Sequence, residues 1–294
     1  MIKKFFKKVL ALMQLKNVKI RGRLIIFFVI LAVIPLAVVG YVSYQGAEST
    51  VEENVGYFSS EVINRVSLNI NSRISEIENL TTGIVTNNKL LQLLLKTEYD
   101  NPLQEMRNKR EAEENLSNIL YSNNDIEGIL VYKKNEDAII AGTFTNEKDF
   151  DDSFANSDIY KSVIAEGGRP VWITGFSGSY DYIYLMRRLI SMSSNTESAL
   201  LIFKIPQNRI ASVYSDLDLG KGTSIYLINN EKRIISDQNE EKPGKEYSSE
   251  VLASFTKNSD KDYFVQGGNL IVHSTVGQSW IIVAEIPRVS LMEK

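Results

Sequence analysis

Residues 180–190, YDYIYLMRRLI, and residues 197–205, ESALLIFKI, are two apolar runs joined by the polar segment SMSSNT. Their aromatic and β-branched content, with turn-forming residues between them, predicts two neighbouring antiparallel strands. Side chains alternate between the two faces of a strand, so every second residue of the first run shares a face. One face carries Tyr180, Tyr182, Tyr184, Met186 and Arg188. The sequence predicts that one face packs on a helix and leaves open which one.

The same pattern extends on both sides of these runs. Upstream, two short strands, a helix and a further strand are expected at residues 126–134, 137–142, 157–168 and 169–175. Downstream, the order repeats as two strands, a helix and three strands at residues 223–229, 232–236, 248–257, 262–266, 269–275 and 279–286. A five-stranded antiparallel sheet with helices on one side is one small α+β domain. We therefore expect two such domains, at residues 125–219 and 220–287.

A helical stripe precedes the strands. Its apolar members are Val51, Val55, Phe58, Val62, Val66, Ile70, Ile74, Ile77, Leu80 and Ile84. Their mean spacing of roughly 3.7 residues is that of a straight α-helix. Residues 45–124 are therefore expected to form a long stalk helix with further helical segments. The stripe packs on the downstream domain or on a second copy; the alternative is a plain amphipathic surface helix.

The N-terminal part has the composition of a membrane anchor. Residues 24–44 are almost wholly apolar, which is long enough for one membrane-spanning helix. Residues 1–23 carry eight basic and no acidic side chains, so the positive-inside rule keeps them in the cytoplasm and exports everything after residue 44. A cleavable signal peptide is the alternative, but the apolar core is long, and Tyr41, Val42 and Tyr44 stand where the small residues of a cleavage site are expected.

Composition excludes several classes of function. The net charge is −3, so the chain beyond the leader carries −11, which disfavours a nucleic-acid partner. The absence of cysteine excludes disulfides, thiolate metal sites and a cysteine nucleophile. The single histidine, His273, lies in an apolar strand without an orienting partner. We find no catalytic constellation, nucleotide loop or metal site, and expect a chain that is not an enzyme and has no cofactor.

Five segments resemble double Cache sensor modules, most closely those of the YesM-like sensor histidine kinases. Residues 20–44 are similar to the first membrane span of those kinases, and residues 70–87, INSRISEIENLTTGIVTN, to their stalk. Residues 167–175, GGRPVWITG, resemble the element leading into the membrane-distal sheet. Residues 223–236 and 277–287 resemble the opening and the last strand of the membrane-proximal domain.

The resemblance implies two PAS-like Cache domains outside the membrane that bind a small molecule, or a liganded binding protein, and act as a homodimer. In that family a second span, a HAMP linker and a kinase core follow, and residues 288–294 look like the lead-in to the second span. The first alternative is the same module in a chemotaxis or cyclic-dinucleotide receptor. The second is an anchored surface adhesin or enzyme.

The candidate ligand-binding residues lie in the distal domain. They are Arg169, Trp172, Tyr180, Tyr182, Tyr184, Arg188 and Lys204. An aromatic row that ends in a cation suits a small polar ligand, although such a row is also typical of a sheet core. Amino-acid-binding members of the family carry an Arg-x-Trp element and a later aspartate; here Arg169 and Trp172 are one residue further apart, and Lys204 falls at the aspartate. Because a lysine cannot accept a bond from an ammonium group, a carbohydrate or a carboxylate is favoured over an amino acid.

Overall fold

The computed structural model describes residues 20–134, 137–144, 150–151, 153–190, 198–238, 242–257, 262–277 and 280–291. The chain divides into two compact units, residues 1–55 and residues 56–294. The first helix, α1 (Ile20–Thr86), begins in the first unit and ends in the second. Within the first unit most of its described apolar side chains between Leu24 and Tyr44 are exposed, and α1 is long and apolar enough to cross a membrane.

In the second unit, the apolar stripe of α1 is buried. Val66, Ile70, Ile74, Ile77 and Ile84 are all at most 8% exposed. The stripe differs from the expectation at its start, where Ile63 is buried and Phe58 is exposed. The remaining helices and their bounds are α2 (Asn88–Leu95), α3 (Pro102–Tyr121), α4 (Asp158–Ala165), α5 (Gln207–Ala211), α6 (Ser249–Lys257) and α7 (Arg288–Leu291).

The first sheet contains five antiparallel strands. They are β1 (Gly128–Tyr132), β2 (Ile139–Gly142), β3 (Val171–Thr174), β4 (Tyr182–Ile190) and β5 (Ser198–Pro206), in the order β2-β1-β5-β4-β3. The two apolar runs become β4 and β5, the longest strands, and pair along their whole length from Tyr182 opposite Pro206 to Ile190 opposite Ser198. The central position of β5 explains its continuous apolar sequence, because neighbouring strands and packed layers enclose it.

The second sheet repeats this topology. Its strands are β6 (Ser224–Ile228), β7 (Ile234–Asp237), β8 (Tyr263–Gln266), β9 (Asn269–Val276) and β10 (Trp280–Pro287), in the order β7-β6-β10-β9-β8. Each sheet is therefore built as a hairpin of two strands, a crossing helix and a three-stranded meander. The predicted α+β architecture of a long helix followed by two five-stranded antiparallel sheets is confirmed.

The two faces of the first sheet are now distinguished. Arg187 of β4 donates hydrogen bonds to the hydroxyls of Thr81 and Thr82 on α1, at 3.0 and 2.8 Å. Trp172 of β3 shares this face and donates from Nε1 to Glu78 of α1 at 2.8 Å. The face with Arg187 is therefore the helix face. Tyr182, Tyr184, Met186 and Arg188 lie on the opposite side, which we call the outer face.

Candidate ligand-binding site

An aromatic cluster covers the outer face of the first sheet. Phe150 stacks on Phe176 at a centroid distance of 4.9 Å and meets Phe154 edge-on at 5.0 Å. Tyr184 of β4 contacts the edge of Phe176 at 5.2 Å and is 6% exposed. Such offset and edge-to-face contacts are the favoured geometries of aromatic pairs. These rings form part of the hydrophobic core, so Tyr184 has a packing role in the sheet.

Lys204 is buried at one end of the aromatic cluster. It lies opposite Tyr184 in the β4–β5 ladder, and its side chain is only 2% exposed. Its Nζ donates to Glu127 Oε1 at 2.7 Å and to the carbonyl of Thr143 at 3.3 Å. The ammonium also lies 3.8 Å from the ring centroid of Tyr182, in cation–π geometry. The position that the resemblance assigns to an aspartate therefore holds a cation with its own carboxylate.

Arg188 lies at the other end of the same row. It is opposite Leu200 in the ladder and partly exposed. Its Nε atom is buried and has no hydrogen-bond partner among the described residues. A buried donor without a partner is costly, so it calls for an explanation such as a functional role or a bound ion or water. The rigid fork of a guanidinium matches a carboxylate.

Three of the predicted site residues lie elsewhere. Arg169 is exposed in the turn before β3, where it pairs with Glu166 at 2.7 Å. Trp172 belongs to the helix face and meets Trp280 of β10 edge-on, at a centroid distance of 5.6 Å. Tyr180 lies outside β4, which begins at Tyr182, so the expected row of five contains only four members. The structure thus brings Tyr182, Tyr184, Arg188 and Lys204 together on the outer face.

Glu127 is the residue that the sequence analysis missed. It directly precedes β1, and its backbone N–H donates to the carbonyl of Lys204 at 2.9 Å. Only the pairing of β1 with β5 brings this carboxylate to Lys204. A charged residue at the start of an otherwise apolar strand is the one local signal that could have suggested it.

Two open grooves lie between the loops of the two sheets. One, of about 410 Å³, is lined by Trp172, Ile173, Thr174, Trp280, Asp158, Ile159, Ser162, Asn229, Asn230 and Glu231. The other, of about 860 Å³, includes Tyr180 and Gln207 from the first sheet's side and Arg233 and Lys245 from the second's. Asn229 Nδ2 donates to the hydroxyl of Thr174 at 2.9 Å, so direct polar contacts also join the sheets.

The second sheet holds a separate polar cluster. The Tyr247 hydroxyl donates to Glu285 Oε1 at 2.6 Å, and Lys242 Nζ donates to the Tyr226 hydroxyl. Burial and the bond to Glu285 raise the pKa of Tyr247 well above its ordinary value. The bond to Tyr226 raises the pKa of Lys242, so both groups stay protonated near neutral pH. Among the described residues, no group of three or more potential metal ligands occurs.

Comparisons with known proteins relate the chain to sensory domains by fold. No family model matches the sequence, and no curated protein matches it. Among solved structures, the sensory domain of the Campylobacter jejuni chemoreceptor Tlp3 with isoleucine bound is similar with a TM-score of 0.58 at 13% identity. That match covers 84% of this chain and 98% of the other.

Two further solved structures of chemoreceptor domains are similar to this chain in fold. The periplasmic sensory domain of the Campylobacter jejuni chemoreceptor Tlp1 matches with a TM-score of 0.58 at 12% identity, over 83% of this chain and 98% of that one. The ligand-binding domain of the Pseudomonas aeruginosa amino-acid chemoreceptor PctC in complex with GABA matches with a TM-score of 0.55 at 11% identity, over 79% and 99%. The fold of this chain is therefore that of double Cache-type sensory ligand-binding domains.

Proposed function

We propose that this chain is the extracellular, ligand-sensing part of a membrane receptor. The observation that carries the proposal is the pair of five-stranded sheets that follow one helix with an apolar N-terminal segment, in the fold of sensory domains from chemoreceptors. The residues after the span at 24–44 then lie outside the membrane. The regions 125–219 and 220–287 are the membrane-distal and membrane-proximal subdomains. Ligand sensing of this kind does not require the chain to catalyse a reaction.

The ligand is a small molecule that carries a carboxylate, bound at the outer face by Arg188. The buried Nε of Arg188 supplies an unused donor on the sheet face that also carries the aromatic cluster. Lys204 does not provide such a donor, because Glu127 already neutralises it. Amino acids belong to the same class of carboxylates, and relatives in fold bind isoleucine and GABA. Hydroxy acids and sugar acids complete the class; a liganded binding protein is the alternative partner.

Two outputs fit this sensing module. The similarity of residues 20–44 and 70–87 to YesM-like kinases favours a two-component histidine kinase. The likeness in fold to Tlp3, Tlp1 and PctC favours a chemotaxis receptor equally well. The full-length gene discriminates between the two outputs, since a kinase core and a methyl-accepting signalling domain are different sequences.

The test is a thermal-shift screen of the whole chain in lipid nanodiscs against amino acids, organic acids, sugar acids and neutral sugars. A ligand present at about 100 times its Kd adds about 2.7 kcal/mol, which raises the melting temperature by about 5 °C or more. The site-specific variant is Arg188→Gln. The matched control is Arg169→Gln, which removes an exposed arginine that is paired with Glu166.

We expect an amino acid or an organic acid to raise the melting temperature of the unmodified chain and of Arg169→Gln, and to leave that of Arg188→Gln unchanged. Equal shifts in both variants would remove Arg188 from the site. If no compound of the panel moves the unmodified chain, direct sensing of these small molecules is rejected in favour of a binding-protein partner.

A further inference from the structure

The larger groove between the two sheets has walls from both. The first sheet's side contributes the turn before β4 and the residue after β5, and the second sheet's side contributes the residue before β7 and the loop that follows this strand. Its lining residues are Gly175, Gly178, Ser179, Tyr180, Asp181, Gln207, Arg233, Pro243, Gly244 and Lys245. The volume of about 860 Å³ lies within the range of small-molecule sites. The groove is separate from the outer face that holds Arg188.

Tyr180 shapes the groove by packing between two glycines. A Cβ atom at Gly175 would lie 2.7 Å from Tyr180 Cζ, and one at Gly244 would lie 2.7 Å from Tyr180 Cδ2. Both glycines have a positive φ, at 69° and 83°. Only glycine therefore meets both the backbone and the spatial requirement at these positions. The close approach joins the two walls through a single aromatic ring.

The charges in the groove favour an anion. Arg233 and Lys245 are exposed, and neither forms an ion pair with another residue of the described part of the chain. Arg233 Nη1 donates to the carbonyl of Gly244 at 2.9 Å, which holds the guanidinium next to Lys245. Asp181 is the one carboxylate in the lining. Two adjacent cations without carboxylate partners form a site for a carboxylate ligand.

Gln207 places a buried hydrogen-bond acceptor beside the groove. Its side chain is 6% exposed, and its Oε1 atom is buried without a hydrogen-bond partner among the described residues. Its backbone N–H donates to the carbonyl of Asp181 at 2.9 Å, so these two residues stand side by side on one wall. The Gln207 amide oxygen and the Asp181 carboxylate both accept hydrogen bonds. Asp181 Oδ2 already accepts a hydrogen bond from Ser179 Oγ at 3.0 Å, so Gln207 Oε1 is the acceptor that a ligand donor, such as a hydroxyl group, would satisfy.

We infer that this groove is a second ligand site, and that it binds a polyhydroxylated carboxylate of the sugar-acid class. Arg233 and Lys245 bind the carboxylate, while Gln207 and Asp181 accept from ligand hydroxyls. The lining offers little aliphatic surface, which disfavours an apolar ligand. A molecule held by both walls favours the arrangement in which the sheets are in contact, so it biases the receptor toward that state.

The test compares three ring compounds by calorimetric titration of the whole chain in nanodiscs. D-glucuronate has both the carboxylate and the hydroxyls, D-glucose lacks the carboxylate, and cyclohexanecarboxylate lacks the hydroxyls. We expect D-glucuronate to bind at least about tenfold more tightly than either, because each of the others leaves half of the groove's polar groups unpaired. Absence of D-glucuronate binding up to about 10 mM, or equal affinity for D-glucose, would overturn the inference.

Variants locate the site. Arg233→Gln and Lys245→Gln are expected to weaken D-glucuronate binding about tenfold each, whereas Lys221→Gln, an exposed lysine outside the groove, leaves it unchanged. Gln207→Leu is expected to weaken binding without lowering the melting temperature of the free protein, since it removes a buried acceptor that lacks a partner. A purely structural glutamine would give the opposite result. Retained binding in both cation variants contradicts the proposal.

Arg188→Gln separates this inference from the proposed function. It removes the proposed outer-face site and leaves the groove intact. Loss of D-glucuronate binding in Arg188→Gln, with full binding in Arg233→Gln, would assign the ligand to the outer face and reject the groove. Loss in Arg233→Gln alone supports the groove, whatever the outer face binds.

Discussion

At the scale of single residues, the Lys204–Glu127 pair decides the chemistry of the outer face. The sequence predicts Lys204 as a ligand contact, but its ammonium is enclosed by the carboxylate of Glu127, the carbonyl of Thr143 and the ring of Tyr182. A buried charge is tolerated when its partners are in place. The charge of Lys204 is therefore neutralised within the protein, and the buried Nε of Arg188 is the donor on which the proposed site rests.

Glu127→Gln is expected to destabilise the chain by about 2–3 kcal/mol, because it leaves the Lys204 ammonium buried without its counter-charge. Adding Lys204→Met should restore most of this loss, since the apolar side chain needs no partner. Thermal unfolding of the single and double variants measures both effects. Glu114→Gln is the control, because its pair with Arg110 is exposed and contributes about 0.5 kcal/mol at most. Equal melting temperatures for Glu127→Gln and Glu114→Gln would contradict the assignment.

His273 gives a pH dependence of stability. Its ring packs on Phe255 at a centroid distance of 4.5 Å, and burial lowers its pKa below 6.5, although Asp262 acts in the opposite direction. Below pH 6.5 the unfolded chain therefore binds more protons at this residue than the folded chain does, so stability falls as the pH falls. Melting temperatures across this range should decrease less for His273→Gln than for the unmodified chain. A parallel decrease would exclude His273 as the cause.

At the scale of elements, α1 acts as the support for the sheets. Its buried stripe and the hydrogen bonds that Thr81, Thr82 and Glu78 accept fix the helix face of the first sheet. At the second sheet, Gly56 allows close approach: a Cβ there would lie 2.5 Å from Cε2 of the Tyr263 ring. By contrast, Gly83 on the same helix has no neighbouring atom within 4 Å of the Cβ position.

Alanine substitutions at these two glycines are expected to change the stability of the chain in opposite directions. Gly83→Ala should stabilise the chain by up to about 1 kcal/mol, because alanine loses less backbone entropy in a helix. Gly56→Ala gains the same stabilisation from backbone entropy, but its Cβ forces Tyr263 to move. Overpacking of this kind costs about 1–3 kcal/mol. Chemical denaturation of both variants measures the difference. Stabilisation by both substitutions would show that Tyr263 yields freely.

At the scale of the whole molecule, the exposed side of α1 is relevant to assembly. Tyr57 and Leu68 are each 67% exposed, and they lie eleven residues, or about three helical turns, apart on one side. Large exposed apolar side chains in register are typical of surfaces that bind a partner. The homodimer expected from the sequence stays a prediction. We expect its contact to lie on this side of the helix, where Tyr57 and Leu68 are exposed.

Leu68→Glu is expected to weaken the dimer at least about tenfold, since it places two carboxylates in an apolar contact. Asn69→Glu, which adds the same charge at the neighbouring exposed position, should leave it intact. Light scattering of the whole chain in detergent, over a range of concentrations, measures the monomer–dimer equilibrium. A monomer at all concentrations, or equal weakening by both variants, would contradict this contact.

The amino-acid sequence by itself determined the α+β class, the long helix, the repeated five-strand pattern and the apolar N-terminal segment, because each is written in local periodicity and turn residues. Only the tertiary structure decided what each polar residue does. The pairing of β1 with β5 brings Glu127 to Lys204, and the start of β4 at Tyr182 leaves Tyr180 between Gly175 and Gly244. Packing on α1 turns Trp172 away from Arg188. Such contacts join residues far apart in the chain, and strand alternation alone does not specify them.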